Sequence, residues 1–162
     1  MVATADVAAA FAGLSGVWRL SRDIPGQGRM SGEAVFTPGA DSTVWRYRET
    51  GVLDLPDGRR LDVFRAYTWR LLDDGRIAID FADGATSGAR FVTLDFAADE
   101  AGGLQAADSH LCGADLYQAI IRLDLPQAFS TDIRVRGPRK DYRAITTCRR
   151  PHLPADPVSL PS

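Results

Sequence analysis

Between Gly16 and Arg149 the chain is cut into short segments by turn residues, and within the segments apolar and polar side chains alternate with a period of two. A helix cannot use that rhythm, because its faces repeat every 3.6 residues rather than every second one. In the segment 61–71 one face carries Leu61, Val63, Arg65, Tyr67, Trp69 and Leu71, and the other includes Asp62, Thr68 and Arg70. In 43–51 Trp45, Tyr47 and Glu49 share a face, with Val44, Arg46 and Arg48 opposite. The breaks are Pro25-Gly26, Pro38-Gly39, Pro56-Asp57-Gly58, Asp73-Asp74-Gly75, Asp83-Gly84, Ala101-Gly102-Gly103 and Gly137-Pro138, all rich in turn formers. The pattern predicts strands near 16–22, 30–37, 43–51, 60–71, 76–81, 90–97, 104–112, 115–123, 130–137 and 141–150.

So many strands in one open sheet would leave long edges, so the expected fold is mainly β. It is a closed antiparallel up-and-down β-barrel of 8–10 strands with a short N-terminal helix. That helix is expected over 4–12, where Val7, Phe11 and Leu14 make an apolar stripe. Residues 1–150 read as a single barrel domain, and 151–162, with Pro151, Pro154, Pro157 and Pro161, as a Pro-rich, disordered tail.

The balance of 19 basic against 21 acidic residues gives a net charge of −2. No dominant positive field exists, which argues against nucleic-acid and membrane-surface partners. No run approaches the roughly 20 apolar residues that span a bilayer. The first residues lack the basic and apolar regions of a secretory signal. Cys112 and Cys148 are too few for a disulfide framework and read as reduced thiols, so the expected location is cytoplasmic.

Arg65 is the anomaly on its face, since a guanidinium keeps its charge and demands a carboxylate, several acceptors or a bound anion. Glu49 on the neighbouring strand is its expected partner. Either the two form a sealed salt bridge, or Arg65 grips an anionic ligand group while Glu49 orients it. A second cluster lies in 108–117. Alternation aligns Asp108, His110 and Cys112, and the turn at Gly113-Ala114 returns the chain so that His110 faces Asp115 or Tyr117, according to register. An imidazole beside a carboxylate and a phenol is a competent acid–base set, or a network closing one barrel end. The spacing H-x-C-x-x-D is not a standard zinc spacing, and no metal centre is expected. The turn Gly137-Pro138 leads through Arg139 and Lys140 to Tyr142, which is placed to reach inward at the barrel mouth.

The helix followed by Gly16-Val17-Trp18 resembles the start of the calycin superfamily, which includes lipocalins and fatty-acid-binding proteins. The resemblance implies that Trp18 plugs the closed end and that an arginine of the last strand packs across it, with Arg149 the first candidate and Arg143 the second. A longer set of landmarks resembles a poorly characterised family of short bacterial and fungal calycin-like proteins. The set is Gly16-Val17-Trp18 with Arg22, Tyr47-Arg48-Glu49-x-Gly51, Arg65-x-Tyr67-x-Trp69, Phe81-x-Asp83-Gly84, His110-x-Cys112-x-x-Asp115-x-Tyr117 and Gly137-Pro138-Arg139-Lys140-Asp141-Tyr142. It implies a lipocalin-like barrel with a polar interior and transfers no activity.

The functional expectation is binding of a small polar or anionic organic molecule inside the barrel. Arg65 anchors it, Glu49 orients Arg65, Trp45, Tyr47, Tyr67 and Trp69 supply the wall, and His110, Asp115, Tyr117 and Tyr142 complete a polar lining. A cofactor-free isomerase, dehydratase or cyclase on the same barrel is the alternative, with His110 or Glu49 as base and Tyr117 or Tyr142 as acid. Haem ligation through His110 is a third reading, and the only one that involves a cofactor. A barrel filled by its own side chains, or one that pairs as a homodimer, is also compatible with the sequence.

Overall fold

The computed structural model describes residues 4–151; the tail 152–162, including His152, lies outside the described residues. A helix α1 (Thr4–Ala12) precedes the strands β1 (Gly16–Ile24), β2 (Gly28–Pro38), β3 (Val44–Asp54), β4 (Arg60–Leu71), β5 (Ile77–Phe81) and β6 (Arg90–Leu94). After these come β7 (Ala97–Ala98), β8 (Leu104–Cys112), β9 (Asp115–Asp124), β10 (Ala128–Arg136) and β11 (Asp141–Arg149). The expected segment 90–97 breaks at Asp95-Phe96, where Phe96 turns into the core, and this gives eleven strands rather than eight to ten.

All eleven strands join one antiparallel sheet in the order β6-β5-β4-β3-β2-β1-β11-β10-β9-β8-β7. The sheet curls until β6 faces β8, but no backbone ladder joins them, so the expected closed barrel is a curled sheet with a seam. Across the seam the Thr93 amide donates to Asp108 Oδ2 at 2.8 Å.

Two glycines permit the curl where β2 passes β3. Gly32 is in register with Gly51, and a Cβ on either would collide with the carbonyl oxygen of Thr50 or Ser31 on the other strand. Side chains therefore give way to a close backbone approach at this corner.

Helix α1 covers one end. Val7, Phe11 and Leu14 are buried, and burying a side chain of this size contributes about 1.5–3 kcal/mol. Trp45 Nε1 donates to the Phe11 carbonyl at 2.8 Å and Trp18 Nε1 to the Leu14 carbonyl at 2.9 Å, which fixes the helix end to the sheet. Above this end the interior is filled by aromatic rings packed edge to face. Phe36 lies 5.1 Å from Trp69 and 5.8 Å from Phe129, and Trp18 lies 5.0 Å from Phe129. Arg150 lies across Trp18, its guanidinium carbon 3.7 Å from the ring centroid. It donates to the Gly13 carbonyl at 2.9 Å and the Val17 carbonyl at 3.2 Å. The arginine across the plug is thus Arg150, not Arg149 or Arg143. Parity decides it: Tyr142, Ala144, Thr146 and Cys148 point inward along β11, while Arg143 and Arg149 point to solvent and Arg143 pairs with Asp132.

Candidate functional site

The inward face of β1 runs Trp18, Leu20, Arg22, Ile24 from the plugged end to the open one. Arg22 thereby lands inside the sheet above the aromatic packing. On β3, Glu49 faces the same space and is 2 % exposed. Arg22 grips it with both ends of its fork, Nη1 to Oε1 at 2.6 Å and Nη2 to Oε2 at 2.9 Å. The intervening strand β2 offers Gly32 and Ala34 on the way, so no bulky side chain blocks the reach. Tyr47 donates its hydroxyl to Glu49 Oε2 at 2.7 Å, and Arg22 Nε donates to Thr146 Oγ1 at 2.7 Å. This closed network satisfies a buried charge that would otherwise be costly. Burial on its own would lower the basicity of Arg22, but its hydrogen bond to Glu49 and the charge of Glu49 outweigh that and hold it above its ordinary value. Burial, reinforced by the charge of Glu49, keeps the Tyr47 phenol protonated far into alkali.

The expected Glu49–Arg65 bridge is absent. The two residues are in register on β3 and β4, as anticipated, yet the oxygens of Glu49 are taken by Arg22 and Tyr47. The Arg65 side chain is 43 % exposed, and the carboxylate it approaches is Asp83, 4.0 Å away. It makes no hydrogen bond to any described residue, whereas Asp83 Oδ2 already accepts from the Ala66 amide at 2.6 Å.

Above the Arg22–Glu49 pair lies a recess of about 220 Å³ at the open end, with Arg22, Glu49 and Arg65 on its charged side and Tyr67, Tyr117 and Tyr142 as its phenols. Phe91, Ile133, Val135 and Ala144 supply apolar wall. A second hollow of about 200 Å³, lined by Met30, Leu53, Val63 and Phe64, shares Arg22, Ile24, Glu49 and Arg65 with it. The Tyr67 and Tyr142 hydroxyls make no hydrogen bond to a described residue, and burial pushes the Tyr67 phenol up to about 12.

Residues 14–150 match DUF6314, a family of unknown function. The chain belongs to that family. The matched span holds the Trp18–Arg150 plug, the Arg22–Glu49 pair, Arg65 and the three phenols, so both ends of the barrel fall within the DUF6314 region. No curated protein matches the chain. Among solved structures, EF1p2_mFAP2b bound to DFHBI is similar, at 14% identity and TM-score 0.51, over 89% of this chain and 98% of that one. A redesigned β-barrel, mFAP1, bound to DFHBI, aligns at 14% identity and TM-score 0.48, over 87% of this chain and 98% of that one. At such identities the likeness is one of fold.

The other expected site residues divide. Tyr67, Tyr117 and Tyr142 reach the recess. Trp45 and Trp69 lie below it in the packed half, Trp45 holding the helix and Trp69 buried against Phe36. Tyr47 spends its hydroxyl on Glu49. In the 108–117 hairpin the register sets His110 opposite Tyr117 and Cys112 opposite Asp115. His110 is half-buried, lies outside the recess lining, and bonds to neither residue. Lys140 does, its Nζ lying 3.1 Å from Asp115 Oδ2 and donating to the Tyr117 hydroxyl at 3.3 Å. Among the described residues no group of three or more His, Cys, Asp or Glu side chains is arranged to hold a metal. Arg22 and Lys140 are the residues that strand-by-strand reading underweighted. The parity of Trp18-x-Leu20-x-Arg22 already placed Arg22 inside.

Proposed function

We propose that the chain binds a small anionic organic molecule in the recess at the open end, with Arg65 as the anchor. The observation that carries this is a mismatch of partners. The recess holds two guanidinium groups and one carboxylate, and that carboxylate is committed to Arg22. Arg65 is left with a fork of donors and no hydrogen-bonded acceptor among the described residues, which is the arrangement that suits a ligand carboxylate. The recess is small: a cavity of about 150 Å³ accepts benzene, so this one suits a single ring or a short branched chain. EF1p2_mFAP2b, of similar fold, is bound to DFHBI; the assignment here rests on Arg65 instead.

The arrangement of Arg150 over Trp18 supports a calycin-type reading of the barrel. An enzyme on this scaffold would need a base with a free lone pair at the recess. Three of the roughly four lone-pair sites of Glu49 are taken by Arg22 and Tyr47, and His110 stands outside the recess lining, so binding is the better-supported function.

Calorimetric titration with benzoate-sized carboxylates tests the anchor. A hydrogen-bonded charge is worth roughly 1.5–3 kcal/mol, so Arg65→Ala should weaken binding about ten- to hundredfold. Equal affinities in wild type and Arg65→Ala would remove Arg65 from the site.

A further inference from the structure

Tyr117 and Lys140 form a unit that carboxylate anchoring leaves unused. Tyr117 sits on β9, 8 % exposed, its ring held 5.6 Å from both Phe81 and Phe91, and it lines the recess. Lys140 comes from the turn between β10 and β11, and its ammonium is pinned by Asp115. It donates to the Tyr117 oxygen at 3.3 Å and stands 5.8 Å from the ring centroid.

The direction of that bond has a chemical result. An ammonium only donates, so the phenol oxygen is the acceptor, and the phenol's own proton must go elsewhere. No described residue accepts it. Hydrogen bonds in a chain polarise one another, so a phenol that accepts from an ammonium is a stronger donor through its own O–H. The recess therefore has two poles: a guanidinium fork at Arg65 and a polarised, unspent O–H at Tyr117. The apolar wall of Phe91, Ile133, Val135 and Ala144 completes the lining.

We infer that Tyr117, held and polarised by Lys140, is a second recognition point, and that the ligand class is a small oxo acid: a carboxylate for Arg65 and a carbonyl oxygen for Tyr117 on one ring-sized body. This rests on the carboxylate reading of the recess and narrows it. A carbonyl oxygen accepts without donating, which matches a site whose two poles both offer protons. A ligand amine or ammonium at the Tyr117 pole would instead meet the Lys140 charge.

The test uses a matched pair of acids, benzoylformate and phenylacetate, which differ by a carbonyl in place of a methylene. Calorimetry on the full chain should show benzoylformate bound about three- to tenfold tighter, the increment of one net hydrogen bond. Tyr117→Phe keeps the ring packing and should erase that preference, so that the two acids bind alike, and an unchanged circular dichroism spectrum and thermal midpoint report that the variant is folded. Arg65→Ala should weaken both acids alike and keep their ratio. Equal wild-type affinities, or a preference that survives Tyr117→Phe, overturn the Tyr117 assignment and leave the carboxylate site standing. Failure of both acids to bind wild type overturns the carboxylate site and this inference with it.

Discussion

Glu49 and Cys148 show how burial sets chemistry at single positions. Glu49 is held by a bidentate guanidinium and a phenol, and removing one partner of such a buried pair costs about 3–5 kcal/mol because the other charge is stranded. Cys148, fully buried on β11, has its thiol pushed up to about 12 by burial and by the charge of Glu49, from an ordinary 9.0. The sign follows from linkage. Between pH 9 and 12 the unfolded chain releases a proton that the fold retains, so this stabilisation is intact below about 9 and lost as pH rises toward 12. Tyr67, raised from 10.0 to about 12, acts in the same direction. Chemical denaturation at pH 8, 9.5 and 11 should show falling stability, with a shallower fall in Cys148→Ala; identical slopes would assign the loss to other groups. Residue parity makes Arg65 and Glu49 neighbours on adjacent strands, and their register bears this out. It did not show that curvature brings Arg22 over from two strands away. Pairing across a curled interior depends on which residues between are small, here Gly32 and Ala34.

At the scale of elements, alternation and turn chemistry located the helix and nearly every strand to within a few residues. The exception, 90–97, kept its apolar pattern while the backbone broke at Asp95, because Phe96 packs into the core from a bend. The last strand teaches a finer lesson. Arg149 and Arg150 are adjacent, and only the inward parity set by Cys148 separates the solvent arginine from the plug arginine. Arg150→Ala should cost about 2 kcal/mol in a urea or guanidinium titration, combining a cation–π contact with two charged hydrogen bonds. Arg149→Ala, on an exposed position, should stay within about 0.5 kcal/mol. A reversal of that order would put the plug arginine back at Arg149.

At the scale of the whole molecule, the aromatic filling and the recess divide the interior into a solid half and a hollow one. Rings from Phe36, Trp69 and Phe129 occupy the space in which an elongated guest would lie. The hollow half offers the recess of about 220 Å³ and the adjoining hollow of about 200 Å³. A fluorescent long-chain fatty acid should therefore show no saturable binding, whereas a single-ring acid should; displacement of such a probe at micromolar concentration would mean that the rings move aside. No helix among the described residues is long and apolar enough to cross a membrane.

The seam between β6 and β8 bears on how this container yields. A cylinder laced by backbone hydrogen bonds all the way round resists widening equally in every direction. Here the lacing gives way along one line to the contact of Asp108 with the Thr93 amide and to the packing of Tyr117 against Phe81 and Phe91. Along that line the wall is held by side chains rather than by a backbone ladder, as a cuff is held by its buttons rather than by its weave.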